Sequence, residues 1–156
     1  MCEVLEHLNF NPLPLIKEIN RVGANGSLFY LSLPNLAQLA NRTKLVRGVS
    51  NLTPIDSYFN QLDPNELEIV NGHWREYTAS EIREILERMG YGIEHQYYFS
   101  SGETVEARSL RKFLGKLFYA TFPSLKENQT TLAIKQERTQ TVFRIPKTVH
   151  RTLETL

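Results

Sequence analysis

Residues 27–33 read SLFYLSL, a short run in which the apolar side chains are almost uninterrupted. Such a run favours a strand buried on both faces, as in a parallel sheet that helices cover. Pro34-Asn35 ends the run, and Gly23-Ala24-Asn25-Gly26 precedes it with glycines that can close a helix. We therefore predict a buried strand at 27–33, preceded by a helix.

Helices and strands alternate around this run. Thr78 and Glu81 form a capping box at the start of one predicted helix, and Gly90 closes that helix. Spacing of apolar residues predicts helices over about 15–22, 36–47, 79–89 and 105–119, and strands over 27–33, 91–99 and 130–136. A strand end is also expected at residue 1. This alternation predicts an α/β fold, with a small open sheet flanked by helices.

The 156 residues correspond to one domain. We assign residues 1–137 to that domain and residues 138–156 to a polar tail. Residues 48–72 are rich in Asn, Asp, Pro and Ser and have little periodicity, so we interpret them as a long loop or an insertion. Because the apolar pattern is already under way at residue 1, we expect the chain to be part of a larger domain.

Composition excludes several classes of function. Lys plus Arg number 18 and Asp plus Glu 17, a net charge of +1 that gives no electrostatic reason to expect nucleic acid as a partner. No apolar run approaches the ~18–20 residues that span a bilayer, so we expect no membrane segment. Cys2 is the single cysteine and no basic apolar leader is visible, which favours a cytoplasmic protein.

Several short motifs in order are similar to those of one enzyme family. Residues 2–8, CEVLEHL, precede EINRV at 18–22, GSL at 26–28 and LPN at 33–35, and HWREYT follows at 73–78. Together they resemble the C-terminal half of class I S-adenosylmethionine-dependent methyltransferases. The resemblance implies a partial Rossmann-like methyltransferase sheet, S-adenosylmethionine as cofactor of the complete domain, and a small-molecule acceptor.

The resemblance also implies site residues. Glu6 and His7 would lie at the cofactor and acceptor site, with His7 catalytic, whereas the alternative is a helix-start carboxylate beside a surface histidine. His73 could be a general base or a loop histidine that only positions the next helix. Asn35, Arg75 and Tyr77 are candidate acceptor-binding residues, although Asn35 could simply make a turn and Tyr77 could pack in the core.

A metal site at the front of the chain is the less favoured alternative. Glu3, Glu6 and His7 have i, i+3, i+4 spacing, and some methyltransferases of this kind use an E-x-x-E-H string for a metal. Glu3 is expected to be still in the strand, so its carboxylate would not share a helix face with the other two. We therefore predict no metal.

The cofactor-binding features of the family are missing from these residues. The single Gly-x-Gly, at 90–92, follows a helix and enters a strand, which is the wrong order for a nucleotide loop. The chain could accordingly be an inactive fragment or a non-catalytic interaction module. A partial sheet also leaves a strand edge open, which favours self-association.

Overall fold

The computed structural model describes residues 1–60, 62, 72–100 and 110–136. The helices in these ranges are α1 (Leu13–Val22), α2 (Leu39–Val46), α3 (Ile55–Asn60), α4 (Ala79–Arg88) and α5 (Leu110–Thr121). The strands are β1 (Leu28–Pro34), β2 (Tyr91–Phe99) and β3 (Asn128–Lys135), and short 3-10 turns cover Leu5–His7 and Pro123–Leu125.

The three strands form one sheet in the order β1-β3-β2. β3 is antiparallel to both neighbours, and Thr131 lies opposite Leu31 on one side and Gln96 on the other. The α/β class is confirmed, but the described strands do not form the parallel Rossmann-like sheet that we predicted. The apolar run at 27–33 indicates burial, and burial does not determine the direction of the neighbouring strand.

The first three residues extend the sheet beyond β1. The Ser32 N–H donates to the Met1 carbonyl at 3.0 Å, and the Glu3 N–H donates to the Ser32 carbonyl at 2.9 Å. Cys2 thereby forms a parallel bridge with Ser32. This pairing agrees with the strand end predicted at residue 1, and it directs residues 4–8 toward the edge of the sheet at which β1 ends.

Burial along β1 follows the prediction only in its second half. Phe29 and Leu31 to Pro34 are buried, whereas Leu28 and Tyr30 are exposed. The core between the sheet and the helices is formed by the buried apolar side chains Leu5, Ile16, Phe29, Leu31, Leu33, Tyr77, Ile82, Leu86, Met89, Tyr91 and Ala133. Leu5 and Tyr77 therefore anchor the two segments that carry Glu6 and His73.

The helix predictions differ in accuracy. The capping box of α4 is present, with the Glu81 N–H donating to Thr78 Oγ1 and the Thr78 N–H donating to the Glu81 carboxylate. Gly90 has a φ of 86° and ends this helix. The helix α3 lies within residues 48–72, which we interpreted as a long loop or an insertion, and residues 61 and 63–71 of that segment lie outside the described residues. The polar tail at 138–156 lies outside the described residues.

In the described ranges, every helix is too short or too polar to cross a bilayer.

Candidate functional site

The turn at Leu5–His7 places two polar side chains at the edge of the sheet. Glu3 has a φ of 51°, which ends the strand pairing and turns the chain inward. Leu5 is buried in the core and fixes the turn, while Glu6 is 0% exposed and His7 is half-buried. Glu6 lies in the first turn of the short 3-10 helix, as the alternative interpretation expected, but its carboxylate is in the interior.

The segment 73–77 is held against this turn through its backbone. The N–H groups of Trp74 and Arg75 donate to the Glu6 carbonyl, at 2.7 and 3.3 Å. Four residues after His73, Tyr77 bridges to Asn35 at the end of β1. As a result the rings of His7 and His73 meet edge to face, with their centroids 4.9 Å apart. Two motifs that are 66 positions apart in the sequence form one site.

The polar neighbour of the Glu6 carboxylate is the carboxyl group of Glu3, which brings no positive charge to it. Both of its oxygens are buried, and among the described residues neither accepts a hydrogen bond from an N–H group. The nearest cationic candidate is His7, whose Nε2 lies 3.8 Å from Glu6 Oε1. Among the described residues, no Lys or Arg pairs with Glu6. Burying a carboxylate without a basic partner costs several kcal/mol when the group is ionised, and a nearby positive charge would offset that cost.

His73 is oriented by a chain of polar groups on its other side. Its Nδ1 lies 3.0 Å from Glu76 Oε1, and Asn41 of α2 donates from Nδ2 to Glu76 Oε2 at 2.7 Å. Asn41 Nδ2 also donates to the Leu36 carbonyl. A carboxylate at Nδ1 favours the tautomer that carries its proton there, which leaves Nε2 with a lone pair. The ring is therefore prepared to accept a proton or to ligate a cation.

Glu3 borders the site without joining the histidines. Partial burial, followed by the negative charge of Glu6 and a hydrogen bond with that residue, raises the pKa of the Glu3 carboxyl above its ordinary value, while the charges of His73 and His7 act in the opposite direction. The side chains that come together as possible ligands are Glu6, His7 and His73, each with one ligand atom within 4.8 Å of the others. The ligand set suggested by the spacing of Glu3, Glu6 and His7 is therefore replaced by one that includes His73.

The side chain of Asn35 makes structural hydrogen bonds, which corresponds to the turn role, one of the two roles that the sequence left open for it. It is fully buried; Nδ2 donates to the carbonyls of Ser124 and Lys126, both at 2.9 Å, and Oδ1 accepts from the Ala37 N–H. These bonds use the whole side-chain amide. Asn35 thus connects the end of β1 to the segment before β3, and this role fits the turn alternative better than contact with an acceptor.

Arg75 and Tyr77 lie at a cavity of about 370 Å³ between the beginning of α1 and α4, which is also lined by Leu13, Glu81 and Met89. The Arg75 guanidinium lies over the Tyr77 ring, 5.0 Å from its centroid, and pairs with Glu81 at 2.8 Å. Burial raises the pKa of the Tyr77 phenol, which keeps it protonated at neutral pH. A cavity of this size can hold a small molecule. Tyr77 also packs in the core, so both interpretations of this residue fit its position.

From the sequence we did not identify two polar residues of the site, Glu76 and Asn41, as candidate functional residues. Glu76 follows His73 by three positions, a spacing that could have indicated the contact. Asn41 is buried on α2, and nothing in its sequence surroundings distinguishes it from a solvent-exposed residue.

The comparisons with known proteins found similarity to solved structures, and the one described here is weak. No protein-family model matches the sequence, and no curated protein matches it significantly. A chain from the Haloferax volcanii complex between the Trm112 methyltransferase activator and a protein proposed to be a methyltransferase has a TM-score of 0.48 and 12% identity. That match covers 88% of this chain and 52% of the other, so this chain spans about half the length of the chain that it matches.

Proposed function

We propose that these residues form part of an S-adenosylmethionine-dependent methyltransferase domain that acts on a small-molecule acceptor. The main support is the meeting of the Glu6-His7 turn and the His73 segment, the two motifs whose sequences resemble that family. They meet where Met1–Glu3 and β1, which run parallel, both end. Ligands of open α/β sheets bind at such an edge.

Each residue has a role that its surroundings support. S-adenosylmethionine supplies a methyl group on a sulfonium, which is already a good leaving group, so positioning is the main requirement. His73 accepts the acceptor's proton at Nε2, while Glu76 holds the ring through Nδ1. His7 faces His73 and closes the other side of the same space. The cavity at Arg75 and Tyr77 provides a place for the body of the acceptor.

Methyl transfer from labelled S-adenosylmethionine tests this proposal. The assay uses the longest polypeptide that the gene encodes around these residues, with mixed small-molecule acceptors. His73→Ala should lower turnover by roughly 10²–10⁴-fold if the ring transfers a proton, and His7→Ala should lower it less. His95→Ala is the matched control, because His95 is exposed on β2.

Thermal melts separate a catalytic defect from unfolding. The proposal is wrong if His7→Ala and His73→Ala both keep full activity, or if each loses activity only because it unfolds. A polypeptide with no transfer to any acceptor would favour the second candidate, a non-catalytic interaction module. The apolar side chains that α5 leaves exposed, Leu114, Leu117 and Phe118, give that candidate its support.

A further inference from the structure

We propose that Glu6, His7 and His73 bind a divalent transition-metal ion, and that Glu76 and Asn41 orient His73 for this purpose. The inference concerns binding, and it holds whether or not the domain transfers methyl groups. This proposal differs from the sequence analysis, which led us to expect no metal.

The buried carboxylate is the first argument. Glu6 is 0% exposed, and among the described residues neither of its oxygens accepts a hydrogen bond from an N–H group or pairs with Lys or Arg; its polar neighbour is the Glu3 carboxyl, which brings no positive charge. Its charge is directed into the same space as the two imidazoles. A bound dication would supply the missing compensation, because a metal ion is commonly the largest positive charge in such a site.

The distances between the ligand atoms are longer than in a metal-bound site, and small side-chain movements would close the difference. The three ligand atoms lie within 4.8 Å of one another, and His7 Nε2 is 3.8 Å from Glu6 Oε1. Ligand bonds of ~2.0–2.1 Å in a tetrahedron place neighbouring ligand atoms about 3.3 Å apart. Both histidine side chains are 36% exposed, so they can rotate inward and a cation can reach them from solvent.

The type of donor determines the class of ion. Two imidazole nitrogens and one carboxylate oxygen suit zinc and neighbouring first-row ions, whereas magnesium and calcium prefer sites built from oxygen alone. Three protein ligands also leave a coordination position free for water or a substrate oxygen. The site therefore matches an open zinc-type centre.

Glu76 and Asn41 provide the outer support that such a centre requires. A histidine ligand usually donates its other ring N–H to a carboxylate, which fixes its tautomer and its direction. Glu76 Oε1 accepts from His73 Nδ1, and Asn41 holds the second oxygen of Glu76. If His73 binds a metal ion, its Nε2 lone pair is no longer free to accept a proton. The ion would then activate the acceptor in place of His73.

Calorimetry with Zn²⁺ tests the site on the 156-residue chain without a histidine tag. The chain carries Cys2→Ser, because the exposed Cys2 thiol could itself bind zinc. We expect one equivalent of Zn²⁺ to bind and millimolar Mg²⁺ not to displace it. Co²⁺ in place of Zn²⁺ should give the visible absorption bands of a four-coordinate ion.

Single variants assign the ligands. Glu6→Gln, His7→Ala and His73→Ala should each weaken Zn²⁺ binding at least tenfold, while His95→Ala should not change it. Glu76→Gln should weaken binding by about 10–100-fold, as for other outer-shell carboxylates, and should shift the Co²⁺ bands, which a merely structural role would leave in place.

Two results would overturn the proposal: no binding by the parent chain, or binding that survives both Glu6→Gln and His73→Ala. Circular dichroism accompanies each titration. If Glu6→Gln failed to fold, His7→Ala would decide, because His7 is only half-buried and is not one of the residues of the hydrophobic core. None of these measurements requires a methyl donor, so failure here and failure of the methyltransferase proposal are distinguishable.

Discussion

Glu3 and Glu6 place two carboxylates next to each other at the end of one strand. Partial burial and the charge of Glu6 raise the pKa of Glu3. Below the ordinary glutamate pKa of ~4.3, Glu3 is protonated in the folded and the unfolded chain alike. As the pH rises, the unfolded chain loses this proton first, so folding stability decreases until Glu3 also ionises in the folded state.

Glu3→Gln should therefore raise the melting temperature at pH 7 and have little effect near pH 3.5. Melts in buffer with a chelator measure this, since a bound cation would mask the repulsion. Glu18→Gln is the control: the hydrogen bond from Arg21 lowers the pKa of Glu18, so its removal should not stabilise the chain at pH 7. Equal melting temperatures for Glu3→Gln and the parent chain at pH 7 would contradict the prediction.

The sequence indicated the members of the site more readily than their arrangement. Glu6, His7 and His73 could be selected because their motifs resemble a known family. The contact between His7 and His73 depends on backbone bonds from Trp74 and Arg75 to the Glu6 carbonyl, which any residue types could form. The role of Asn41 could not be predicted either, because its partner Glu76 is 35 positions away in the sequence.

At the scale of the elements, local signals gave the most accurate predictions. The Thr78 capping box and Gly90 are short-range features, and α4 has the expected limits to within a residue or two. The position of β3 is a long-range feature: Gln129, Thr130 and Thr131 are polar yet fully buried, and nothing in their pattern predicts a central strand. The order of the strands in the sheet could therefore not be predicted from the spacing of apolar residues.

Two glycines should respond to alanine in opposite directions. Gly90 has a φ of 86°, where a Cβ is strained, so Gly90→Ala should destabilise the chain by about 1–2 kcal/mol. Gly115 lies inside α5 with nothing within 4 Å of an added Cβ, so Gly115→Ala should stabilise it by about 0.5–1 kcal/mol. Urea denaturation of the two variants measures both effects. A Gly90→Ala chain as stable as the parent would show that the left-handed turn is not required.

The whole molecule exposes both a strand edge and many large apolar side chains. Within the ranges that the structure describes, β2 is an outer strand, with β3 as its neighbour on one side only. Val22, Val46, Ile55 and Phe59 are among the apolar residues left more than half exposed. Open edges pair with other chains, and apolar patches drive association.

We therefore expect the purified chain to form dimers or larger species through β2. Light scattering over a range of protein concentrations measures this association. His95→Lys places a charge on the exposed edge and should weaken it, whereas Val46→Lys adds the same charge on α2 and should weaken it less. A clean monomer at every concentration, with a cooperative melt, would refute the prediction.

The order of the strands in the sheet determines when the sheet can form during translation. β1 and β2 each pair with β3, and β3 is the last of the three to be translated. Until it leaves the ribosome, β1 exposes Leu31 and Leu33, and the Asn35 amide lacks the carbonyls of Ser124 and Lys126. From the synthesis of Glu76 until β3 emerges, the nascent chain therefore carries all of its site residues without the sheet that holds them in place, and its exposed Leu31 and Leu33 offer a chaperone an apolar surface to bind.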